Sequence, residues 1–163
     1  MNRPGFYAFV FLSLSLAVPS TWAAPDSNLR SMACTKLVVE DLSQGARQLG
    51  LDAENLRDRL TVAIKSKIPR LPLKAACESS LYLTVTTITL VTVSGTPRGY
   101  AASIGLELER IVTIEATKDI AVATVWRRGG INSGPLDDVS EVYLQIEDLA
   151  TAFAAAYYEA GNP

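Results

Sequence analysis

Histidine is absent from this sequence. Its absence excludes Ser–His and Cys–His nucleophile pairs, histidine acid–base catalysis and most zinc or copper sites. Cysteine is scarce as well, with only Cys34 and Cys77 present. If these two are bridged, thiolate catalysis and metal–sulfur ligation are excluded too. The residues left for chemistry are carboxylates, hydroxyls, lysines and arginines.

The chain also lacks an excess of positive charge. Its formal net charge is −2, with 48% hydrophobic and 20% charged residues, an ordinary globular balance. Removing residues 1–23 takes away Arg3 and no acidic residue, which leaves a net charge of −3. This sign argues against a nucleic-acid-binding function.

A single long apolar run lies near the N-terminus, over residues 5–18. Arg3 precedes it and small residues follow, with Thr21 and Ala23 at the −3 and −1 positions of a cut after Ala23. The run of about 14 residues is shorter than the roughly 20 that a spanning helix needs. The pattern predicts a secretory signal peptide over 1–23 and one domain over 24–163. The alternative is an uncleaved membrane anchor.

The predicted location is outside the cytoplasm, with the periplasm favoured over extracellular release. Residues 25–30 read as a loose polar lead-in. A lipid-attachment box needs an apolar residue three positions before its cysteine, and Ser31 stands there before Cys34. Lipidation is therefore not predicted. Weak peripheral contact with a membrane is an alternative that no feature of the sequence supports.

Two cysteines in an exported chain most simply form one disulfide, Cys34–Cys77. Closing a loop of about 44 residues is worth about 4 kcal/mol in the chain-entropy description. Free thiols and an intermolecular bridge are the alternatives. The cysteines form no C-x-x-C pair, so a redox function is not indicated.

Residues 100–115 predict the strand around which the sheet is organised. Apolar residues alternate with polar or small ones, a period typical of a strand with one dry and one wet face. Segments of the same kind flank it on both sides, so we expect the middle strand of an antiparallel meander. The apolar positions are Ala102, Ile104, Leu106 and Leu108.

Three further strands are predicted over residues 36–40, 81–93 and 120–127. We expect irregularities near Thr87 and over 110–112, where the alternation breaks. In the last strand, Val122 and Trp126 are predicted to share a face. Residues 128–136, with three glycines and a proline, are predicted to form a loop.

Two amphipathic helices complete the prediction. Asp52 is a suitable N-cap for the first helix, and Pro69 ends it. Asp138 and Glu141 have capping-box spacing at the start of the second, and Gly161 suits its C-terminal end. We therefore expect an α+β fold of order β-α-β-β-β-α. It is a four-stranded, mostly antiparallel sheet with two helices packed on one face.

Three groups of residues are candidates for sites of chemistry. Glu107 and Glu109 share a strand face and could divide acid and base roles, but their alternation with leucines favours a solvated face. Asp137 and Asp138 lack EF-hand spacing, and helix capping explains them. The glycine-rich segment 129–134 lacks a phosphate-binding motif, so nucleotide binding is rejected. No cofactor and no metal are predicted.

Two basic clusters remain as a candidate partner surface. Solvated charges at helix ends and in loops are the alternative interpretation. The residues of this candidate surface are Lys65, Lys67, Arg70, Lys74, Trp126, Arg127 and Arg128.

Four short motifs resemble a pattern found in uncharacterised exported bacterial proteins. They are a V-x-D-L-S opening at 39–43, G-L-x-x-E-x-L-R at 50–57, L-Y-L-x-V at 81–85, and an F-x-x-x-Y pattern at Phe153 and Tyr157 before the terminal Asn162–Pro163. The resemblance covers most of the chain after the predicted signal peptide. It implies no assigned site.

The predicted layout is also similar to small periplasmic accessory proteins of outer-membrane assembly and ABC transport, including the lipopolysaccharide-assembly lipoprotein type. Those proteins are usually lipid-anchored, and this chain lacks the attachment box. The likeness implies a non-enzymatic envelope assembly or transport accessory that binds a protein partner.

Two alternatives to that function stay open. One is a small ligand-binding module or enzyme that uses carboxylates and arginines in a cleft beside segment 129–134. The other is an oligomeric structural element of the envelope.

Overall fold

A four-stranded sheet and three α-helices make up the chain in a computed structural model, which describes residues 27–163. The predicted signal peptide lies outside the described residues. After a 3-10 turn at Ser27–Leu29, the elements are β1 Lys36–Val39, α1 Gln44–Gln48, α2 Ala53–Lys67, β2 Ser79–Val91, β3 Pro97–Thr113, β4 Ile120–Gly134 and α3 Ser140–Glu159.

The sheet has the order β1-β2-β3-β4. β1 runs parallel to β2, whereas the β2–β3 and β3–β4 pairs are antiparallel. The predicted α+β class and the mostly antiparallel four-stranded sheet are thus confirmed. β3 is the middle strand of the predicted meander, because it pairs with β2 on one side and β4 on the other.

Helices α2 and α3 pack against each other and cover one face of the sheet. The alternation in β3 has the predicted sense, since Ile104, Leu106 and Leu108 are buried under the helices. Phe153 of α3 meets the Trp126 ring edge-on, with the ring centroids 5.2 Å apart. Aromatic contacts of this geometry add to the free energy gained by burial.

The helix ends follow the sequence signals only in part. The Asp52 carboxylate accepts a hydrogen bond from the Asn55 amide at 2.9 Å, which confirms the predicted cap of α2. Gly161 has φ +80° after α3, a conformation that glycine adopts without strain. The predicted capping box is wrong: Val139 is the N-cap of α3, and Asp138 accepts from the Ser140 amide instead.

The described part of the lead-in, residues 27–30, contacts the C-terminal residues, contrary to the prediction of a loose segment. Leu29 is fully buried. The Asn162 side chain accepts from the Met32 amide at 3.2 Å and donates to the carbonyls of Leu29 and Tyr157. One buried amide therefore joins the two ends of the described chain.

The predicted end of β4 is wrong. Residues 128–134 continue the strand because they pair with β3 as far as Gly134 opposite Tyr100. The predicted irregularity near Thr87 is absent, since β2 pairs regularly with β3 from Ser79 to Leu90.

The register shift between β3 and β4 lies at Leu108/Glu109, where Val125 is the extra residue of β4. This bulge also overturns the predicted shared face of Val122 and Trp126. Trp126 pairs with Leu108 on the covered face, and Val122 pairs with Ile111 on the opposite face.

Candidate functional site

The Cys34–Cys77 disulfide is formed as predicted, with an Sγ–Sγ distance of 2.05 Å. It holds the connector between α2 and β2 beside β1. The Thr35 amide donates to the Pro72 carbonyl, and the Lys74 amide donates to the Thr35 carbonyl, both at 3.0 Å. The disulfide and these two hydrogen bonds therefore fix the residues around Lys74 next to the edge of the sheet. A disulfide fits an exported or envelope protein.

The structure separates the two predicted basic clusters. Lys74 lies beside β1, whereas Arg127 and Arg128 belong to β4, the strand at the opposite edge of the sheet. Trp126 is 6% exposed and packs in the core, so it is not available on a partner surface. The seven predicted residues do not form one continuous site.

The lysines at the end of α2 have different surroundings. The Lys65 ammonium donates to the Leu71 carbonyl at 2.7 Å and so ties the end of α2 to the connector. Lys67 lines a groove between α2 and α3. Arg70 is exposed. Lys67 shares its groove with Arg59 and with carboxylates, whereas Lys74 shares a groove with two cations and no carboxylate.

We define the basic groove as the cavity of about 370 Å³ between β1, α2 and the connector. Its cations are Lys36, Arg57 and Lys74, which come from three separate segments, and no acidic residue lines it. The apolar part of the lining includes Leu37 and Leu73, which pack against the core. The full lining is Lys36, Leu37, Arg57, Thr61, Leu73, Lys74 and Ala75.

Backbone groups of β1 also face this groove. Thr35 bonds outward to the connector through both its amide and its carbonyl. Because backbone polar groups alternate in direction along a strand, those of Leu37 point to the same outer side. The groove therefore combines an open strand edge, apolar side chains and three cations.

Sequence reasoning missed two of the three cations. Arg57 was covered only as the last residue of the motif at 50–57, and Lys36 only as the first residue of a predicted strand. Both are exposed, and neither lies near Lys74 in sequence. The signal that could have joined them is the disulfide, since it requires the connector to lie beside β1.

A second groove, of about 470 Å³, lies between α2 and α3. Asp58 and Glu147 supply carboxylates, and Arg59 and Lys67 supply cations. The Arg59 guanidinium stacks over the Tyr143 ring at 3.9 Å from its centroid. This contact holds the guanidinium in place at the side of the groove.

One member of each predicted carboxylate pair has a structural partner. Glu107 lies 2.9 Å from the Nε of Arg127 on the uncovered face of the sheet. The backbone amide of Ser140, followed by its side chain, donates to Asp138 and lowers the pKa of that carboxyl. Among residues 27–163, no three histidine, cysteine or carboxylate side chains gather closely enough to hold a metal ion.

The predicted glycine-rich loop is a strand, so the cleft expected beside it has a different form. Gly130 lies against the Gln145 side chain of α3, where an added Cβ would come within 3.0 Å of the amide. Residues 124–128 instead line a shallow cavity of about 330 Å³ along β4. None of the helices in the described part of the chain is long and apolar enough to span a bilayer.

Comparison with known proteins gives only distant likenesses. No family model matches the chain. No curated protein matches it either. Among solved structures, a PelC dodecamer from Paraburkholderia phytofirmans is 13% identical with a TM-score of 0.43, covering 76% of this chain and 90% of that one.

Two solved lipoproteins have a comparable sequence identity to this chain and lower TM-scores. Rare lipoprotein B from Shewanella oneidensis is 14% identical over 77% of this chain and 92% of that one, with a TM-score of 0.30. A minor lipoprotein from Acinetobacter baumannii is 13% identical over 77% and 91%, with a TM-score of 0.33. Values this low carry no argument about the function or the location of this chain.

Proposed function

We infer that this chain is an exported, non-enzymatic accessory protein of the cell envelope, and that it binds a protein partner through the basic groove. One observation carries this proposal: three cations and no anion line a groove beside an open strand edge. The proposed occupant is an acidic segment of the partner in extended conformation.

The charges of the groove select the occupant. Lys36, Arg57 and Lys74 are exposed and surround apolar side chains of Leu37 and Leu73. A segment that alternates acidic and apolar residues would present carboxylates to the cations and small apolar side chains to the leucines. Complementary charges of this kind raise the association rate and exclude basic segments.

The backbone supports an extended conformation of the occupant. An extended segment beside β1 would exchange hydrogen bonds with the outward-facing groups of Leu37, as in other complexes that add a strand to a sheet edge. A flat bilayer would not reach a recess between a helix and a strand. We therefore favour a protein segment over a lipid surface at this groove.

The test measures binding of a fluorescein-labelled Glu-Val-Glu-Val-Glu peptide to the disulfide-bonded mature chain by fluorescence anisotropy. We expect binding that weakens with salt, and a loss of at least about tenfold in affinity for Arg57→Glu combined with Lys74→Glu. The matched control is Arg98→Glu combined with Arg128→Glu, which makes the same total charge change at exposed residues of β3 and β4. It should bind as the unchanged chain does.

Two further peptides separate the parts of the proposal. A Lys-Val-Lys-Val-Lys peptide should not bind, and a peptide with N-methylated amides should bind more weakly because it cannot pair with the strand edge. Equal binding of acidic and basic peptides, or no effect of the double reversal, would refute the proposal.

A second candidate function has one observation in its favour, the mixed charges of the α2–α3 groove. Carboxylates of Asp58 and Glu147 stand with Arg59 and Lys67 around a space large enough for a small zwitterion. Thermal-shift screening with free amino acids tests it. A stabilisation that disappears in Glu147→Gln would support this alternative, and the absence of any shift would remove it.

A further inference from the structure

The longest uncharged stretch of the described chain ends in an exposed hairpin. No charged residue occurs from Ser79 to Pro97, a stretch that holds all of β2 and the following turn. Its first part is buried under the helices. From Ile88 onward the hairpin leaves the core, and we define residues 88–98 as the β2–β3 tip.

Aliphatic side chains are exposed on both faces of this tip. Ile88 and Leu90 point to the uncovered face of the sheet, 62% and 40% exposed. The register shift at Leu90/Val91 places its extra residue, Arg98, on β3, so β2 keeps its alternation and Val91 points to the face opposite Leu90, 59% exposed. Val93 in the turn is fully exposed. The apolar surface therefore surrounds the tip instead of forming a patch on one side.

The polar groups of the turn are bonded to one another. The Thr92 hydroxyl lies 2.8 Å from the Ser94 hydroxyl and accepts from the Thr96 amide at 3.0 Å. The Thr92 amide donates to the Thr96 carbonyl, and the Gly95 amide donates to the Thr92 carbonyl, both at 2.9 Å. Moving this turn out of water therefore leaves few polar groups without a partner, which lowers the main cost of entering an apolar medium.

The other hairpin provides a contrast within the same chain. Ile114 and Ile120, next to the β3–β4 turn, are also exposed. That turn carries Glu115, Lys118 and Asp119 between them. Charges of both signs at its end would have to be dehydrated before its isoleucines could enter an apolar medium.

We propose that the β2–β3 tip inserts into the interfacial region of a lipid bilayer. Four aliphatic side chains enter between the acyl chains, and Arg98, the one charged residue of the tip, remains at the depth of the lipid phosphates. Its positive charge complements anionic headgroups. A bilayer surrounds an inserted group on all sides, which matches the exposure of this tip on both faces, whereas a protein groove would leave one face in water.

This surface is separate from the basic groove. Arg98 and Val93 lie at the far end of β2 from Ser80, the residue that pairs with Lys36. Changes at the tip should therefore leave binding of the acidic peptide unchanged. The two proposals consequently fail or succeed independently.

The test uses the disulfide-bonded mature chain and vesicles of phosphatidylethanolamine with a minority of phosphatidylglycerol, with binding measured by co-sedimentation. We expect Leu90→Asp combined with Val93→Asp to reduce the vesicle partition coefficient at least about tenfold, since each aliphatic side chain loses its transfer free energy. The matched control is Ile114→Asp combined with Ile120→Asp at the other hairpin, which should partition as the unchanged chain does.

A fluorescent reporter locates the contact. In Val93→Trp, the added indole emission should shift to the blue with vesicles and be quenched by lipids brominated on the acyl chains. In Ile120→Trp it should do neither. Thermal unfolding of every variant verifies that loss of binding is not loss of folding, and the reporter pair remains informative even if one Asp variant does not fold.

Three results would overturn the proposal. The first is an unchanged chain that does not co-sediment with vesicles. The second is an equal loss of binding in the tip variant and its control. The third is a protein from envelope extracts that the unchanged chain captures and the tip variant does not, together with a Val93→Trp indole that brominated lipids do not quench. This result would assign the tip to a protein groove.

Discussion

The two faces of the sheet carry similar aliphatic side chains in different surroundings. On the covered face, Leu106 and Leu108 are fully buried under α2 and α3. On the open face, Ile88, Ile111 and Ile131 are 62%, 54% and 80% exposed. β-branched residues suit a pleated strand whether or not they are buried. Residue type alone therefore does not decide which isoleucines belong to the core.

The difference shows which apolar side chains of this protein are not needed for its core. The helices cover the middle of one face, and the open face and the hairpin ends keep their aliphatic side chains in contact with solvent. Exposed apolar surface of this extent on a small domain is typical of interaction sites. The proposed bilayer contact uses the part of this surface that is free of charge.

The largest effect should come from truncating the same kind of side chain on the two faces. Leu106→Ala removes a fully buried side chain and should cost about 3 kcal/mol of unfolding free energy. Ile131→Ala on the open face should change it by less than about 0.5 kcal/mol. Urea denaturation followed by circular dichroism measures both. Similar costs would mean that the open face is covered in solution.

A glycine pair sharpens the comparison. A Cβ at Gly134 would lie 2.9–3.1 Å from the Tyr100 ring and hydroxyl, which are held in the core, so Gly134→Ala should destabilise by about 1–3 kcal/mol. A Cβ at Gly105 would lie 2.8 Å from the Thr84 hydroxyl, which would have to turn about the Cα–Cβ bond and give up its 3.4 Å hydrogen bond to the Gly105 carbonyl. Because Thr84 lies on the open face, Gly105→Ala should cost less than Gly134→Ala, about 1 kcal/mol or below. A larger loss for Gly105→Ala in thermal unfolding would contradict this assignment.

Tyr100, on the covered face, should make the unfolding free energy depend on pH. Burial, followed by the charges of Asp138 and Glu141, raises the pKa of its hydroxyl. Because the pKa is higher in the folded state, the unfolded chain loses this proton first as pH rises. The contribution of Tyr100 to the unfolding free energy is therefore complete below the unfolded pKa of about 10 and is lost as pH rises further. The wild-type unfolding free energy should therefore fall above this pH, and the fall should be shallower in Tyr100→Phe.

The same substitution tests the hydroxyl at neutral pH. This buried oxygen has no hydrogen-bond partner in the described part of the chain. Tyr100→Phe should then be neutral or stabilising by up to about 1 kcal/mol. Burial also raises the pKa of Tyr157, so some alkaline slope should remain in the variant. An unchanged slope in Tyr100→Phe would show that this residue does not cause the effect.

The smallest effect should come from the ion pair of the open face. Arg127 is largely exposed and lies 2.9 Å from Glu107, and pairs of this kind contribute less than about 1 kcal/mol. Arg127→Ala should lower the unfolding free energy by that amount at low salt and by less at high salt. A salt-independent loss would indicate that the Arg127 stem acts by packing.

Local patterns were sufficient for much of the fold. Alternation predicted β3 and the face it buries, and Asp52 predicted the start of α2 because its carboxylate bonds the first turn in any surroundings. The cysteine count, in a chain predicted to be exported, predicted the disulfide. These features depend on neighbours in sequence or on a pairing that has one simple solution.

The errors arose where distant segments decide. Residues 128–134 carry the composition of a loop, yet they form a strand because β3 is long enough to pair with them and Asn132 donates to the Glu141 carbonyl of α3. The lead-in is ordered through Asn162, more than 100 residues away. Trp126 was predicted to lie on a basic surface, but the bulge at Val125 places it on the covered face.

The amino-acid sequence by itself determined the type and order of the main elements, the buried face of β3 and the pairing of Cys34 with Cys77. These follow from periodicity and from end signals that act over a few residues. Only the tertiary structure decided that Lys36, Arg57 and Lys74 share a groove and that the β2–β3 tip extends beyond the helices. Both depend on strand register and helix placement, which arise from packing between segments far apart in the chain.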